Sequence, residues 1–489
     1  MKNLIRLAGI FICSIALTAG SCDKQPEAET YRPEAIQLDR KSLDMEVGER
    51  VQLTARPTPS VAHELTFQWT SSDTAVVTVD AGLVTAEGPG SATVTVSCGD
   101  VSAGLEVTVG SPGTGGRALL YSIRPGGMSP EQIPELLIGT AGRVTDEGLE
   151  ISAPGETIRL DLYYALAERV AEYTVSFSDD TEAVFESSMG DFKARVSVPG
   201  RKIGINTNPA VEADAPFLRG GRDYRLEIYH IYNRASVVIT DIATGESAGL
   251  SAVNDGQGGC GQGALQPGFG VGMQWDHYCF GLTSGSPFTV KELGVYSLKK
   301  SARLLIYGDS ISQPEGYFPA ADFPESWTQR VISALDGDAM SSGRGGGTID
   351  DVLEYIKNEL PFIDAEYVMV TIGTNGGNTE EKLTELMEYI RSQGCTPILN
   401  NIPCNESGTQ VRTNAMIASV REKMGLDGCL FDLATSENGD GLTVDKSMMF
   451  WEDYSGSYGW QIWHHPNSKG GEAMFLRTLT DMPELYVIQ

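Results

Sequence analysis

Basic residues are scarce in this chain. It has 36 lysines and arginines against 65 aspartates and glutamates, which gives a formal net charge of −29 at pH 7. Nucleic acids and anionic lipid headgroups bind proteins through lysine and arginine side chains that neutralise phosphates. The composition therefore argues against a nucleic-acid partner and favours neutral substrates.

Histidine is also rare, with five in 489 residues, and no histidine or cysteine spacing is typical of a zinc site. We expect no metal and no cofactor. Six cysteines follow the first 22 residues, which allow 15 complete disulfide pairings; they are Cys98, Cys260, Cys279, Cys395, Cys404 and Cys429. Cys395 and Cys429 each stand just before a predicted parallel strand, which makes them a candidate pair.

Long apolar runs are absent after the first residues. The run "LAGIFICSIAL" follows Lys2 and Arg6, is too short to span a bilayer, and leads through small residues to Cys22. Residues 1–21 therefore resemble a lipoprotein signal peptide, with Cys22 as the lipidated N-terminus. The alternative is an ordinary secretory signal with an incidental cysteine. We expect a cell-envelope protein, on the outer membrane and cell surface or on the periplasmic face, held to the membrane by the lipid on Cys22.

The length predicts about three domains, at about 150 residues each. Residues 22–34 are polar and contain proline, as in a flexible tether. Over 35–109 apolar and polar residues alternate between turns, which predicts a small β-sandwich. The string "FQWTSSDTAVVTVDAGLVTAEGPGSATVTVS" in this stretch resembles the bacterial Ig-like (group 2) repeat. That resemblance implies an all-β Ig-like fold and, most often, a spacer role.

A second β-rich region follows a Gly/Pro linker at 110–117. Over 118–299 segments such as "EYTVSFSD" and "DYRLEIYHI" predict strands with no long helix among them. This texture resembles a jelly-roll or concanavalin-like sandwich, a class of module that often handles sugars. The string "GESAG" at 245–249 matches the nucleophile pattern G-x-S-x-G, but glycines rather than a helix follow it. We therefore interpret Ser247 as part of a β-turn.

The chain changes character at residue 300, where apolar strands begin to alternate with amphipathic helices. The predicted strands are "RLLIY" (303–307), "YVMVTI" (367–372), "TPILNNI" (396–402) and "CLFDL" (429–433). Such alternation predicts a parallel sheet with helices on both faces. Ligands of these sheets bind at the carboxyl ends of the strands.

Polar groups follow these strands at that edge. Ser310 follows the first strand, and a glycine-rich loop at 341–353 can aim N–H groups at an anion. Asn375 follows the next strand, and His465 precedes a Pro-Asn turn near the C-terminus. A serine hydroxyl becomes nucleophilic when a base takes its proton, and histidine is the usual base.

In this order the four segments resemble the motif blocks of the SGNH (GDSL-type) hydrolases, over about residues 302–489. The matching blocks are Gly308-Asp309-Ser310, "GGTIDDVL" with Gly346 at its start, Gly373-Thr374-Asn375, and His465-Pro466-Asn467. The resemblance implies a three-layer, flavodoxin-like α/β hydrolase over 300–489. It also implies that Ser310 is the nucleophile and His465 its base. The oxyanion hole would comprise the N–H groups of Ser310 and Gly346 and the amide of Asn375, with Asp309 structural.

One part of the family pattern is missing. The pattern D-x-x-H-P-N has an acid three residues before the histidine, where this chain has Ile462. The backbone carbonyl of Ile462 could accept the imidazole N–H instead, as in some family members. Alternatively an acid of the preceding loop orients the ring; the candidates are Asp440, Asp445, Glu452 and Asp453. As a third alternative, the site binds its ligand without catalysis. We interpret His464 as a packed or rim residue.

The segment "MMFWEDYSGSYGWQIW" (448–463) is rich in aromatic residues. Trp460 and Trp463 are candidates for stacking on sugar rings, and the alternative is a lid with its own small core. Taken together, the resemblances favour a carbohydrate O-acetylesterase that acts on acetylated glycans through an acyl-enzyme. The alternatives are a lipid or aryl esterase of the same fold and a non-catalytic glycan-binding surface lipoprotein.

Overall fold

The structure is a computed structural model that describes thirteen stretches of the chain. They are residues 33–46, 50–58, 66–74, 76–86, 90–110, 116–129, 137–138, 142–187, 192–206, 210–253, 278–313, 323–449 and 463–487. Cys22, Cys260, Glu452, Asp453, Trp460 and Ile462 lie outside them. Among the described residues, no helix has the length and hydropathy needed to cross a bilayer.

The N-terminal region consists of short strands in three small sheets. Its strands are β1 (Ala35–Leu38), β2 (Ser42–Glu46), β3 (Arg50–Gln52), β4 (Ala55–Thr58), β5 (Gln68–Ser71), β6 (Val77–Asp80), β7 (Leu83–Ala86), β8 (Gly90–Cys98) and β9 (Val101–Gly110). The sheets have the orders β2-β9-β8-β5, β3-β7-β6 and β1-β4. Alternate valines and leucines of these strands meet in one core, as the period-two pattern predicts.

The second region consists of two large antiparallel sheets. The strands are β10 (Ala118–Ile123), β11 (Leu137–Ile138), β12 (Gly142–Thr145), β13 (Gly148–Ile151), β14 (Thr157–Leu160), β15 (Glu168–Ser176), β16 (Glu182–Ser187), β17 (Lys193–Ser197), β18 (Lys202–Ile205), β19 (Val211–Asp214), β20 (Asp223–Ile231), β21 (Arg234–Asp241), β22 (Ser247–Val253), β23 (Tyr278–Ser284) and β24 (Phe288–Ser297). One sheet has the order β12-β13-β24-β15-β20-β21-β22, with β10 also on β24, and the other β11-β14-β23-β16-β17-β18-β19.

The two sheets share a core of alternate residues, among them Tyr173, whose ring meets those of Phe185 and Phe280 edge to face. The region is therefore a two-sheet sandwich. Ser247 begins β22 directly after the turn that ends β21. Its place between two antiparallel strands agrees with the β-turn interpretation of "GESAG".

The third region is α/β. Its parallel strands are β25 (Ser301–Gly308), β26 (Ala339–Gly343), β27 (Asp364–Thr371) and β28 (Thr396–Leu399), in the sheet order β26-β25-β27-β28. Its helices are α1 (Trp327–Ala334), α2 (Ile349–Glu359), α3 (Glu380–Ser392), α4 (Gln410–Met424), α5 (Phe431–Ala434) and α6 (Ser468–Asp481). Short 3-10 helices lie at Phe323–Glu325, Leu360–Phe362 and Pro483–Tyr486.

The prediction of a strand at 429–433 is wrong. The chain runs beside β28 only briefly, with hydrogen bonds from Leu399 N–H to the Asp427 carbonyl and from Asn401 N–H to the Cys429 carbonyl. The N–H of Leu430 then donates to the Asp481 carboxylate at 2.8 Å, and helix α5 begins at Phe431. The Asp481 side chain of α6 thus accepts the Leu430 N–H, which in a longer strand would donate to the backbone of β28.

The sheet has a core on each face, which makes the region a three-layer structure. Leu305 and Tyr307 of β25 face helices α2, α3 and α4, whereas Leu304 and Ile306 face α1, α5 and α6. Cys395 lies in the first core and Cys429 in the second. The candidate disulfide between them is therefore wrong, and both are free thiols.

The sandwich covers the β26 edge of the parallel sheet. The N–H of Ala167 donates to the Ser341 carbonyl at 2.9 Å, as a neighbouring strand would. The N–H groups of Ala165 and Leu166 donate at 2.6 and 3.1 Å to the Glu359 carboxylate, which has no solvent exposure. The Ser342 hydroxyl donates to the other oxygen of Glu359 at 2.7 Å. The second and third regions therefore share a buried polar interface.

Candidate active site

The polar loops of the α/β region meet at the carboxyl edge of its sheet. Ser310 follows β25, the glycine turn at 344–347 follows β26, and Asn375 follows β27. His465 lies just before α6. Since parallel strands end at one edge of a sheet, residues far apart in sequence come together there.

Ser310 and His465 are in direct contact. The Nε2 atom of His465 lies 2.9 Å from the Ser310 hydroxyl oxygen, and the two residues are 2% and 5% exposed respectively. Ser310 sits in a tight turn in which the Asp309 carbonyl accepts the N–H groups of Ser312 and Gln313. The sequence prediction named both residues, and the structure brings them within hydrogen-bond distance.

The position of His465 follows from the turn that begins α6. The Asn467 side chain caps the helix by accepting the N–H groups of Lys469 and Gly470 at 3.0 and 3.1 Å. The Asn467 N–H donates to the Met448 carbonyl at 2.9 Å, which ties the turn to the preceding loop. The Pro-Asn sequence therefore fixes the backbone that presents the imidazole.

The environment of His465 keeps its imidazole neutral. Burial lowers the pKa of His465 well below its usual value, and the neighbouring His464 lowers it further. A neutral imidazole at pH 7 has a free ring nitrogen that can take a proton from a hydroxyl. The contact between Nε2 and the serine hydroxyl has the geometry for that transfer.

Asp309 stabilises the nucleophile turn. Its carboxylate accepts the Ile311 N–H at 3.0 Å and is fully buried. Burial raises the pKa of Asp309 to about 6, a rise that the Ile311 N–H and the nearby His464 partly offset. These contacts agree with the structural role predicted for Asp309.

Two glycines let the loops approach one another closely. A Cβ atom on Gly308 would lie 2.3 Å from the Thr371 carbonyl oxygen, and one on Gly343 would lie 2.6 Å from the Ser312 carbonyl carbon. No side chain fits at such distances. The glycines therefore bring the ends of β25, β26 and β27 to the spacing that the site requires.

Gly346 lies in a β-turn closed by a 3.0 Å hydrogen bond from Gly347 N–H to the Arg344 carbonyl. Its φ of +72° is one that glycine adopts without strain. Within the described stretches, neither the Gly346 N–H nor the Ser310 N–H donates a hydrogen bond. The Asn375 amide donates to the Gly347 carbonyl at 3.0 Å, which leaves its second N–H for another acceptor. The three predicted oxyanion donors thus belong to adjoining loops.

Two of the four candidate acids are held elsewhere. The Asp440 carboxylate accepts the Leu442 N–H at 3.0 Å, and the Asp445 carboxylate accepts the Ser447 N–H at 2.9 Å. In the part of the chain that the structure describes, neither of them hydrogen-bonds to His465. The structure does not bring these two acids to the base, because each one closes a local turn.

A carboxylate that the sequence reading missed lies beside the histidine pair. The two oxygens of Glu406 lie 3.1 and 3.2 Å from Nδ1 of His464, and one also accepts the Trp463 N–H at 3.3 Å. The rings of His464 and His465 pack edge to face, 4.4 Å apart. Partial burial raises the pKa of Glu406, but the hydrogen bond and charge of His464 together with backbone N–H groups outweigh it, and the net pKa is lowered. The sequence signal that could have pointed to Glu406 is its position in the loop that follows β28.

The indole ring of Trp463 packs against neighbouring residues and is not open to solvent on both of its faces. It contacts the small core of Cys404, Val444 and Met449, and the Lys446 ammonium lies 4.3 Å from the centre of its ring. One face of the indole is therefore occupied by the lysine. This packing resembles the small core of a lid, and a stacking role for Trp463 stays a prediction.

Comparisons with known proteins bear on two parts of the chain. Residues 34–109 match the family model of the bacterial Ig-like domain (group 2), which confirms that prediction. No curated protein matches the chain significantly.

Within the described stretches, no group of three or more histidine, cysteine, aspartate or glutamate residues could hold a metal ion.

Solved structures align with parts of the chain at low similarity. A GDSL-like lipase from Bacteroides thetaiotaomicron VPI-5482 is 12% identical, covers 38% of this chain and 88% of its own, and has a TM-score of 0.29. The psychrotrophic esterase EstA from Pseudoalteromonas sp. is 16% identical, with 38% and 98% covered and a TM-score of 0.29. The exoplasmic/lumenal domain of VIP36, in a Ca²⁺/Man3GlcNAc-bound form, is 9% identical, with 36% and 88% covered and a TM-score of 0.27.

Proposed function

We propose that this chain is a serine esterase of the SGNH type, with a flavodoxin-like catalytic region at 300–489 behind a jelly-roll or concanavalin-like sandwich. The observation that carries the proposal is the buried contact of 2.9 Å between the Ser310 hydroxyl and Nε2 of His465. It lies at the carboxyl edge of a parallel sheet, beside the glycine turn, whose Gly346 N–H donates no hydrogen bond within the described stretches.

The proposed reaction has two steps. His465 takes the hydroxyl proton as the Ser310 oxygen attacks the ester carbonyl, and the imidazolium then gives that proton to the departing alcohol. The acyl group remains on Ser310. In the second step His465 takes a proton from water, the resulting hydroxide attacks the acyl-serine, and the proton returns to Ser310 as the acid leaves.

The oxyanion formed in each step needs hydrogen-bond donors. The N–H groups of Ser310 and Gly346 and the free N–H of Asn375 supply them in this proposal. For the orientation of His465 we favour the backbone carbonyl of Ile462, with Glu452 and Asp453 as the remaining acids, because Asp440 and Asp445 close local turns.

We propose acetylated glycans as the substrate class and acetate as the acyl product. A sandwich placed directly before an SGNH region resembles the architecture of certain carbohydrate esterases. The acidic composition supports a neutral polymer over an anionic lipid.

We place the protein in the cell envelope, with a lipid on Cys22 and the tether at 22–34 between membrane and first domain. Trp460 and Trp463 are the aromatic residues we assign to the substrate side.

The test is acetate release from acetylated xylan and from an aryl acetate by residues 23–489. Ser310→Ala should abolish release from both. Ser247→Ala, which removes the serine of the other G-x-S-x-G match, should leave it unchanged. Release that survives Ser310→Ala would overturn the assignment of the nucleophile.

Two further outcomes separate the alternatives. Turnover of long-chain lipid or aryl esters without acetate release from glycans would replace the substrate class and keep the esterase. Folded protein that turns over no ester in a wide panel, yet binds glycans, would overturn the enzyme in favour of a non-catalytic surface lipoprotein.

A further inference from the structure

The glycine turn at 344–347 has little stiffness of its own. Three of its four residues are glycines, and glycine restrains the backbone less than any other residue. The proposed mechanism uses the Gly346 N–H as an oxyanion donor, and such a donor stabilises the transition state when its direction is fixed before the reaction. Contacts from outside the turn must therefore fix it, and its first residue, Arg344, contacts the sandwich.

The Arg344 side chain lies over a tyrosine of the sandwich. Its guanidinium carbon is 5.2 Å from the centre of the Tyr163 ring, and one guanidinium nitrogen is 3.5 Å from the Asp351 carboxylate. Tyr163 belongs to the segment between β14 and β15 and is 5% exposed. A guanidinium within about 6 Å of an aromatic ring is attracted to its face. The sandwich therefore provides a platform for Arg344, and α2 provides the opposite charge.

The same ring contacts a second tyrosine, which supports the strand before the nucleophile. Tyr163 and Tyr355 of α2 meet edge to face, with ring centres 5.1 Å apart. The buried Tyr355 hydroxyl shares its proton between the carbonyls of Gly308 and Ser342, at 3.2 and 3.1 Å. The Arg344 N–H donates to the same Gly308 carbonyl at 3.0 Å. One ring of the sandwich thus contacts both residues that donate to the Gly308 carbonyl.

Backbone groups hold the segment that carries this ring. The Asn358 amide of α2 donates to the Tyr163 carbonyl at 3.0 Å. The N–H groups of Ala165 and Leu166 donate to the buried Glu359 carboxylate. These hydrogen bonds do not involve the Tyr163 side chain, so they remain when that side chain is replaced. The contribution of the ring can therefore be measured apart from the docking of the two domains.

We propose that Tyr163 is a positioning residue, through which the sandwich holds the oxyanion turn and the Gly308 carbonyl in the geometry that catalysis requires. This inference rests on the proposed esterase function. Tyr163 acts through Arg344 and Tyr355 and is not itself a catalytic residue. A shift of about 1 Å in a catalytic group can lower the rate by about 100-fold, so loss of the ring should lower kcat.

The kinetic test is hydrolysis of an aryl acetate by residues 23–489, at a temperature well below unfolding. Tyr163→Leu should lower kcat by about tenfold or more and change KM less than about twofold, because the turn acts on the transition state. Tyr163→Phe keeps the ring and should have the wild-type kcat. Tyr229→Leu is the matched control, since it removes a ring that lies 5.4 Å from the Arg117 guanidinium within the sandwich. It should leave kcat unchanged.

A second measurement does not depend on activity. Hydrogen exchange of a peptide that covers the turn reports on three N–H groups that donate hydrogen bonds within the protein, those of Arg344, Gly345 and Gly347. Tyr163→Leu should speed their exchange at least about tenfold, whereas Tyr163→Phe and Tyr229→Leu should not. Wild-type protein that hydrolyses no ester would overturn the proposed function, and exchange would then decide whether Tyr163 holds the turn.

With an active wild type, three kinetic results would overturn the inference. The first is a kcat of Tyr163→Leu equal to that of Tyr229→Leu. The second is a loss confined to KM, which would make Tyr163 a substrate contact. The third is an equal loss in Tyr163→Phe and Tyr163→Leu, which would assign the effect to the hydroxyl rather than the ring. Unchanged exchange in Tyr163→Leu would also overturn it, because the turn would then be held without the ring.

Discussion

Ser310 has two flanks that are held in different ways. We call the glycine turn at 344–347 with Asn375 the anion flank, and the histidine pair with the loop at 400–409 the base flank. The glycine turn of the anion flank follows β26, whose edge is covered by N–H groups of the sandwich and by the buried Glu359 carboxylate, and Asn375 follows β27. The loop of the base flank follows β28, whose hydrogen-bonded neighbours among the described residues are β27 and the segment at Asp427, both of the α/β region.

Side-chain amides do the corresponding work on the base flank. Asn400 accepts the Cys429 N–H at 2.8 Å and donates to the Thr371 hydroxyl at 2.9 Å, while Asn414 both donates to and accepts from the Ile402 backbone. The outermost carboxylate, Glu406, is partly exposed. The comparison teaches that the anion flank depends on contacts with a second domain, whereas the base flank is held by residues of the α/β region and is partly exposed to solvent.

The largest effect we expect comes from the base flank itself. His465→Ala should lower kcat by about 10⁴-fold or more, because the serine proton then has no acceptor. His464→Ala is the adjacent control and should cost less than about tenfold, since its ring contacts Glu406 rather than Ser310. Steady-state hydrolysis of an aryl acetate measures both. Equal losses in the two variants would contradict the assignment of His465 as the base.

On the anion flank, Asn375→Ala should lower kcat by about 10²- to 10³-fold and change KM little, because an oxyanion donor acts mainly in the transition state. Asn378→Ala is the control from the same loop, where the amide donates to the Ile372 carbonyl at 2.9 Å. If both substitutions slow the reaction equally, loop shape rather than oxyanion binding explains the loss.

The interface behind the anion flank should be sensitive to pH. Burial raises the pKa of Glu359 from 4.5 to about 7, against the hydrogen bonds from Ser342 and Ala165 that favour its charge. The folded state therefore holds this proton more tightly than the unfolded chain does. Its stabilising contribution is complete below about pH 4.5 and is lost as pH rises to about 7. The difference is about 3 kcal/mol in the free energy of unfolding.

Urea denaturation of the wild type and of Glu359→Gln between pH 4 and 8 measures this contribution. The glutamine variant should lack it, and the difference between the two curves isolates Glu359 from Asp309, which titrates in both. A constant difference across this pH range would show that folding leaves the pKa of Glu359 unchanged and would contradict this prediction.

The smallest effect should come from Glu406→Gln. The pair that Glu406 forms with His464 is partly exposed, and such pairs contribute about 0–1 kcal/mol. We therefore expect kcat to fall less than about fivefold, with Glu437→Gln as a control from a neighbouring loop. A loss above 100-fold would place the Glu406 carboxylate in the proton transfer and make the two flanks more alike than the structure suggests.

Local signals predicted much of the α/β region. Thr379 caps α3 by accepting the Lys382 N–H at 3.2 Å, and the helix ends before Gly394; threonine and glycine are common residues at these two positions. The contact between Ser310 and His465 joins residues 155 positions apart. This contact was predictable because the order of the four motif segments along the chain, rather than hydrophobic periodicity, links the two residues.

Contacts without a local signature could not be predicted. The hydrogen bonds from Ala165 and Leu166 to Glu359 cross 194 and 193 residues, and nothing in "IKNEL" distinguishes this glutamate from a solvated one. The same holds for the carboxylate of Asp481, which takes the Leu430 N–H and ends the apolar segment mistaken for a strand. Hydrogen bonds between residues far apart in sequence determine the roles of Glu359 and Asp481, whereas the local hydrophobic pattern determines where the strands form.

The covering of the β26 edge also bears on how the protein can be divided. A fragment that begins at residue 300 would leave this edge strand without the Ala167 N–H and would leave Glu359 without two of its donors. An exposed parallel edge offers its free backbone groups to other copies, so such a fragment should aggregate during expression. Whoever wishes to shorten this protein should cut before residue 118 and keep the sandwich.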